Sequence, residues 1–179
     1  MSLKFFTLDV GCGGNPKGVV NCDRSLLDSE GHRGLNEADH KINPKLISNF
    51  VLADACFLPF RDGVFDEVIS AQVIEHVFNP FLLLKELVRV SKRFVRVETV
   101  NRFGERFATF LRPKKRRWVV QHHVNQFNRR YWDVAASRLC CRVVNSYELS
   151  FFYFPNMYFV LFRWPFSIGV VFEKVVGKF

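Results

Sequence analysis

Three aspartates, Asp9, Asp23 and Asp54, each stand at the end of a short apolar run, and after the first only Val10 precedes Gly11-Cys12-Gly13-Gly14-Asn15-Pro16. An apolar run that ends in an acid and then glycines is how a buried parallel strand delivers a ligand-binding turn at its carboxyl end. Gly11 and Gly13 can take positive φ and leave room for a ligand to touch backbone, which a Cβ would block. Asp9 is a short acceptor suited to a cationic amine or a hydroxyl. Asp23, closing Gly18-Val19-Val20-Asn21-Cys22, can accept two hydrogen bonds from a ribose diol. The spacing excludes two other ligand classes. A dinucleotide fingerprint needs a third glycine where Pro16 stands, and no Lys-Ser or Lys-Thr pair follows to grip a phosphate. His76, His122 and His123 are the candidate bases, each of a type able to move a proton near neutrality. The adjacent pair has no third ligand at metal-binding spacing, so no metal site is expected.

The elements needed to hold these residues follow from the pattern of apolar runs. Phe5 to Val10, Gly18 to Asp23, Asn49 to Asp54 and Phe65 to Ala71 read as strands in a parallel α/β sheet. Asp9 and Asp23 lie too close for a full helix between them, so the first crossover is expected to be a loop. Residues 28–48 read as loop with one weak helix. Asn79-Pro80 opens a helix with Phe81, Leu84, Leu87, Val88 and Val90 on one side, leaving Lys85, Glu86, Arg89 and Lys92 to face water. Arg93 to Val100 is the next strand. Asn128 caps a helix from about Arg129 to Cys140, and Arg142 to Phe154 would be the sixth strand.

With these elements the chain resembles the class I methyltransferases that use S-adenosylmethionine. The acidic-x-Gly-x-Gly turn is that family's first motif, with Asn15 where a third glycine is usual. Asp54-Ala55, Leu58-Pro59-Phe60, Phe65-Asp66-Glu67-Val68 and Glu75-His76-Val77 are similar to its type 11 subgroup. The resemblance implies a Rossmann-like α/β fold, mostly parallel with an antiparallel last strand, over a core at 1–154. It implies that Asp9, Gly11 and Gly13 hold the methionine end of the cofactor, Asp23 the ribose, and Asp54 with Ala55 the adenine. Ala71 and Gln72 would flank the sulfonium. Methyl transfer is a displacement with an uncharged leaving group, so the enzyme chiefly aligns donor and nucleophile. A base (His76, His122 or His123) is needed only where the acceptor must lose a proton.

The acceptor is bounded more loosely. A net charge of +9, concentrated at Arg112 to Arg117, favours anionic partners, so RNA and an anionic membrane surface both stay open. The 21 phenylalanines and the type 11 resemblance favour a small-molecule or lipid-like acceptor. No Asn-Pro-Pro-Tyr-type base-flipping motif follows the fourth strand, which continues Ala71-Gln72-Val73-Ile74. The apolar segment 155–179 fits either a final strand or an amphipathic helix. Ile168, Val171, Phe172, Val175, Val176 and Phe179 form a helical stripe, yet Val, Ile and Phe suit strands equally. Its apolar run is broken by Arg163 and Pro165 and is too short to span a bilayer. Five cysteines without CxxC spacing fit neither zinc nor a disulfide framework. With no leader recognised ahead of the first strand, a cytoplasmic location is expected. Oligomeric state is not encoded in any of these features.

Overall fold

In a computed structural model, residues 5–24, 43–100, 124–149 and 167–175 are described. They form a seven-stranded sheet in the order β3-β2-β1-β4-β5-β7-β6. The strands are β1 (Thr7–Val10), β2 (Val20–Asp23), β3 (Phe50–Leu52), β4 (Phe65–Ala71), β5 (Ser91–Val100), β6 (Cys141–Leu149) and β7 (Ser167–Lys174). Strands β1 to β5 pair in parallel, whereas β7 runs antiparallel to both β5 and β6. The expected α/β architecture with an antiparallel last strand is therefore present.

Two described helices connect strands. Helix α1 (Pro80–Val90) starts where Asn79 accepts the Leu82 N–H at 3.0 Å and Pro80 supplies the first helical φ. Helix α2 (Arg129–Arg138) is capped by Asn128, whose side chain accepts the Tyr131 N–H at 3.0 Å. It ends two residues before the expected Cys140, because Leu139 closes the last turn and Cys140 takes a left-handed φ of 52°.

One core joins the sheet to both helices. Leu8, Val10, Val68, Val95, Val97, Val170 and Phe172 pack with Leu83, Leu84 and Leu87 of α1 and with Trp132 and Ala135 of α2. Some of the residues that alternate with these are polar and pair across strands. Arg96 pairs with Glu67 at 2.7 Å, and the Tyr147 hydroxyl donates to Glu98 at 2.6 Å. The Tyr147 ring also covers Gly169, where a Cβ would lie 2.3 Å from the ring. That contact favours strand over helix for the tail: Gly169 is costly in a helix interior but is shielded by a cross-strand aromatic here.

The expectation that Glu86 and Arg89 face water is corrected. Their side chains are only 14% and 28% exposed, because both turn onto the segment after β3. The connection across residues 11–19 contains no helix, as expected, and neither does the one between β3 and β4. Of the stretch 28–48, residues 43–48 are described, and they hold a single 3-10 turn at Pro44–Leu46.

Trp132 is 2% exposed and sits 6.1 Å from the Phe172 ring and 5.2 Å from Phe127. Trp132→Ala is expected to cost about 3–5 kcal/mol in urea unfolding, the usual cost of emptying an aromatic core site.

Candidate functional site

The chain leaves β1 in a turn held from both sides. Gly11 and Cys12 donate their N–H groups to the Cys22 carbonyl at 2.8 and 3.1 Å, tying the turn to β2. Gly11 and Gly13 both have positive φ, 73° and 51°. Their surroundings differ. A Cβ at Gly11 would lie 2.2 Å from Val73 Cγ2, so the space beside Gly11 is filled by the turn after β4. At Gly13 and Gly14 an added Cβ would meet nothing within 4 Å. The open backbone of the turn lies there.

The three carboxylates end neighbouring strands, and each also holds backbone. Asp9 is 3% exposed and accepts the Lys17 N–H at 2.8 Å. Burial raises its carboxyl above the ordinary value; the Lys17 amide opposes this, while Asp23 and Glu98 add to it. Asp23 accepts the Gly13 N–H at 3.0 Å, and its own carbonyl accepts Ala53 N–H at 2.9 Å. Asp54, two residues beyond β3, is exposed and accepts the Cys56 N–H at 2.8 Å. That side-chain bond makes an Asx-type turn around Ala55, and the Asp54 carbonyl, accepting Phe57 N–H at 3.0 Å, closes a β-turn over the same residues.

The fourth strand end completes the edge. Ala71 is the last residue of β4, and Gln72 follows with φ of 58° and its N–H on the Glu98 carbonyl at 2.8 Å. A left-handed non-glycine residue costs on the order of 1–3 kcal/mol, and such strain concentrates where geometry is over-determined. His76 ends the 3-10 turn Ile74–His76 and is half-buried. His122 and His123 lie outside the described residues.

Glu75 belongs to this edge, although its sequence position had suggested no role. It is fully buried, and the Thr99 hydroxyl donates to its Oε2 at 2.9 Å. The Glu75 carbonyl accepts N–H groups from Val124 and Asn125 at 2.8 and 3.1 Å, and the Asn125 amide donates back to Val77 O at 2.5 Å. The turn after β4 is thus joined to the approach of α2. The available signal was an acid inside the apolar run Val73-Ile74-Glu75-His76-Val77.

Adjacent strands therefore bring three carboxylates and an open glycine backbone to one sheet edge. Acceptors of this kind suit hydroxyls, amines and a positive centre better than a phosphate. S-adenosylmethionine, with a ribose diol, two amines and a sulfonium, fits that set.

Residues 8–94 match the family model described as a methyltransferase domain, the subgroup numbered 11. Over that stretch, just under half of its length, the chain is similar to a methyltransferase domain. Two curated relatives align with parts of this chain. The tRNA (carboxymethyluridine(34)-5-O)-methyltransferase of Saccharomyces cerevisiae is 38% identical over 69 residues, covering 38% of this chain and 24% of the relative. Norajmaline N-methyltransferase of Rauvolfia serpentina is 27% identical over 97 residues, covering 47% of this chain and 31% of the relative. The matched stretches thus span no more than a third of either relative. Among solved structures, a SAM-dependent methyltransferase from Thermotoga maritima superposes with a TM-score of 0.70 at 16% identity, covering 96% of this chain and 83% of the other. That likeness is one of fold.

Because burial raises the Asp9 carboxyl, its charge opposes folding at neutral pH, and the penalty disappears as pH falls below the ordinary value of 3.8. Asp9→Asn, which keeps an acceptor for Lys17, should unfold at equal or higher urea than wild type at pH 7. Any advantage should vanish near pH 3.5. A variant less stable at pH 7 than wild type would show that the charged form supports the turn.

Proposed function

We propose that this chain is an S-adenosylmethionine-dependent class I methyltransferase that moves the cofactor's methyl group onto a small-molecule or lipid-like acceptor. The observation that carries the acceptor class is apolar exposure beside the turn after β4. Phe78, directly beyond that turn, is 92% exposed; Val124, bonded to Glu75, is 54% exposed, and Phe81 in the first turn of α1 is 37% exposed. Apolar side chains left in water at a site mouth favour an apolar ligand. The alkaloid N-methyltransferase among the relatives supports the same class.

In this reading Asp9 and the open Gly13 backbone serve the methionine end, with Gly11 keeping the turn packed under Val73. Asp23 serves the ribose, Asp54 and Ala55 the adenine, and Ala71 and Gln72 flank the sulfonium. The bound cofactor supplies an electrophilic methyl group; the chain supplies alignment. His76 is the base beside the turn after β4 for an acceptor that must lose a proton. Five free cysteines support a reducing, cytosolic setting. Among the described residues, no helix is long and apolar enough to cross a membrane.

A second reading, RNA methylation, is favoured by the tRNA methyltransferase relative and by the net charge of +9. A third makes the chain a non-catalytic subunit. One labelling experiment separates them: the protein, cofactor labelled in its methyl group, and fractionated cell extract. Label in organic-soluble or small-molecule fractions is expected. Label in ribonuclease-sensitive material, lost steeply as salt rises, would select RNA instead. No label, together with no thermal stabilisation by S-adenosylhomocysteine, would select the subunit. Asp54→Ala is expected to abolish S-adenosylhomocysteine binding in calorimetry, and unchanged affinity would remove Asp54 from the adenine site.

A further inference from the structure

The segment 53–64 links β3 to β4 without a helix, so its backbone polar groups must find partners elsewhere. Helix α1 supplies them. Arg89 and Glu86 face each other as a two-pronged ion pair, Nε to Oε1 at 2.7 Å and Nη2 to Oε2 at 2.8 Å. The same guanidinium donates to Leu58 O at 2.9 Å, Phe60 O at 2.8 Å and Asp62 Oδ1 at 2.7 Å. Glu86 Oε2 accepts the Leu58 N–H at 2.9 Å. Farther along, Gly63 and Val64 donate to the carbonyls of Arg89 and Val90, both at 2.9 Å. Leu58 is thus held at both its N–H and its C=O, directly after the Asp54–Phe57 turn. Two charges on one helix hold the middle of a loop whose ends are tied by Ala53 to Asp23 and by Gly63 and Val64 to the end of α1.

We propose that Glu86 and Arg89 are positioning residues for the adenine side of the site: they touch no ligand, but set where Asp54 stands. The inference rests on the functional reading above, in which Asp54 meets the exocyclic amine of the purine. Charge-assisted hydrogen bonds in a planar fork are strong and directional, and a lysine or an apolar residue cannot reproduce them. If the fork is lost, the turn keeps its sequence but not its register, and the acceptor for the amine drifts.

The test compares two ligands that differ only at the N1–C6 edge of the purine, by calorimetry: S-adenosylhomocysteine carries the C6 amine and an N1 acceptor, S-inosylhomocysteine a C6 carbonyl and an N1–H. Wild type should prefer the adenosine form by about tenfold or more, the cost of facing Asp54 with a carbonyl instead of a donor. In Arg89→Met the preference should shrink to about twofold or less, with the adenosine form losing most of the affinity. A residue that merely stabilises the fold would weaken both ligands equally, so an unchanged ratio in a folded Arg89→Met overturns the inference. Should that variant not fold, Glu86→Gln carries the test. It keeps an acceptor for Leu58 but loses the ion pair, and an unchanged ratio there is equally fatal. Wild type that binds neither ligand would overturn the functional reading itself. Wild type that binds both equally would remove Asp54 from the amine, and this inference with it.

Discussion

Asn21, 1% exposed in the middle of β2, donates its amide to Gly18 O at 3.0 Å and Ser48 O at 2.9 Å, and accepts the Gly18 N–H at 2.9 Å. One buried side chain therefore holds both the approach to β2 and the approach to β3. Parallel strands ordinarily rely on long crossovers, usually helices, to bring the chain back. In this sheet two connections, 11–19 and 53–64, are without a helix. Side chains perform the work instead: Asn21 and Asp9 on the first loop, Asp23 on the glycine turn, Glu86 and Arg89 on the second loop. Buried amides and carboxylates are costly when left unpaired, so each of these bonds is also a condition for the strand to remain in place.

The edge formed by the ends of β1, β2 and β3, proposed to hold the cofactor, inherits this economy. Asp9 and Asp23 hold backbone and are at the same time the acceptors nearest the open glycine turn. Asp9 is buried and lies near Asp23, so its negative charge is costly in the free protein. Removing the charge from Asp9 is accordingly expected to relax the fold while weakening the site, a common opposition between stability and activity. Gly11 shows the same coupling: its missing Cβ makes room for Val73, so the turn after β1 and the turn after β4 fix each other. Glu75 extends the linkage to Thr99 and to the approach of α2. The edge behaves as one hydrogen-bonded unit built from several separate loops.

Much of this was legible in the residues. The span Phe65–Ala71 was readable as a strand following at once on the one ending at Asp54, and Asn79-Pro80 and Asn128 announced helix starts through local chemistry. The strand-end acids were visible because burial demands apolar runs before them. Three features were not legible, for physical reasons. The outer residues of α1 follow the helical period whether water or a loop lies beyond them, so periodicity could not show that Glu86 and Arg89 meet the 53–64 segment. The tail suited helix and strand alike, and only the Tyr147 ring over Gly169 and pairing to two neighbours favour β7. Gly11 looked like room for a ligand, since a sequence does not reveal that Val73 arrives from a distant turn.

The central claim is that the ends of β1, β2 and β3 hold the methyl donor through the glycine turn and three carboxylates. A crystal structure with S-adenosylhomocysteine at saturating concentration tests it most directly. The account predicts the purine at the Asp54–Phe57 turn, the ribose hydroxyls against Asp23, and the amino-acid end over Gly13 and Gly14. Ligand density elsewhere on the protein, or none at this edge, would contradict it.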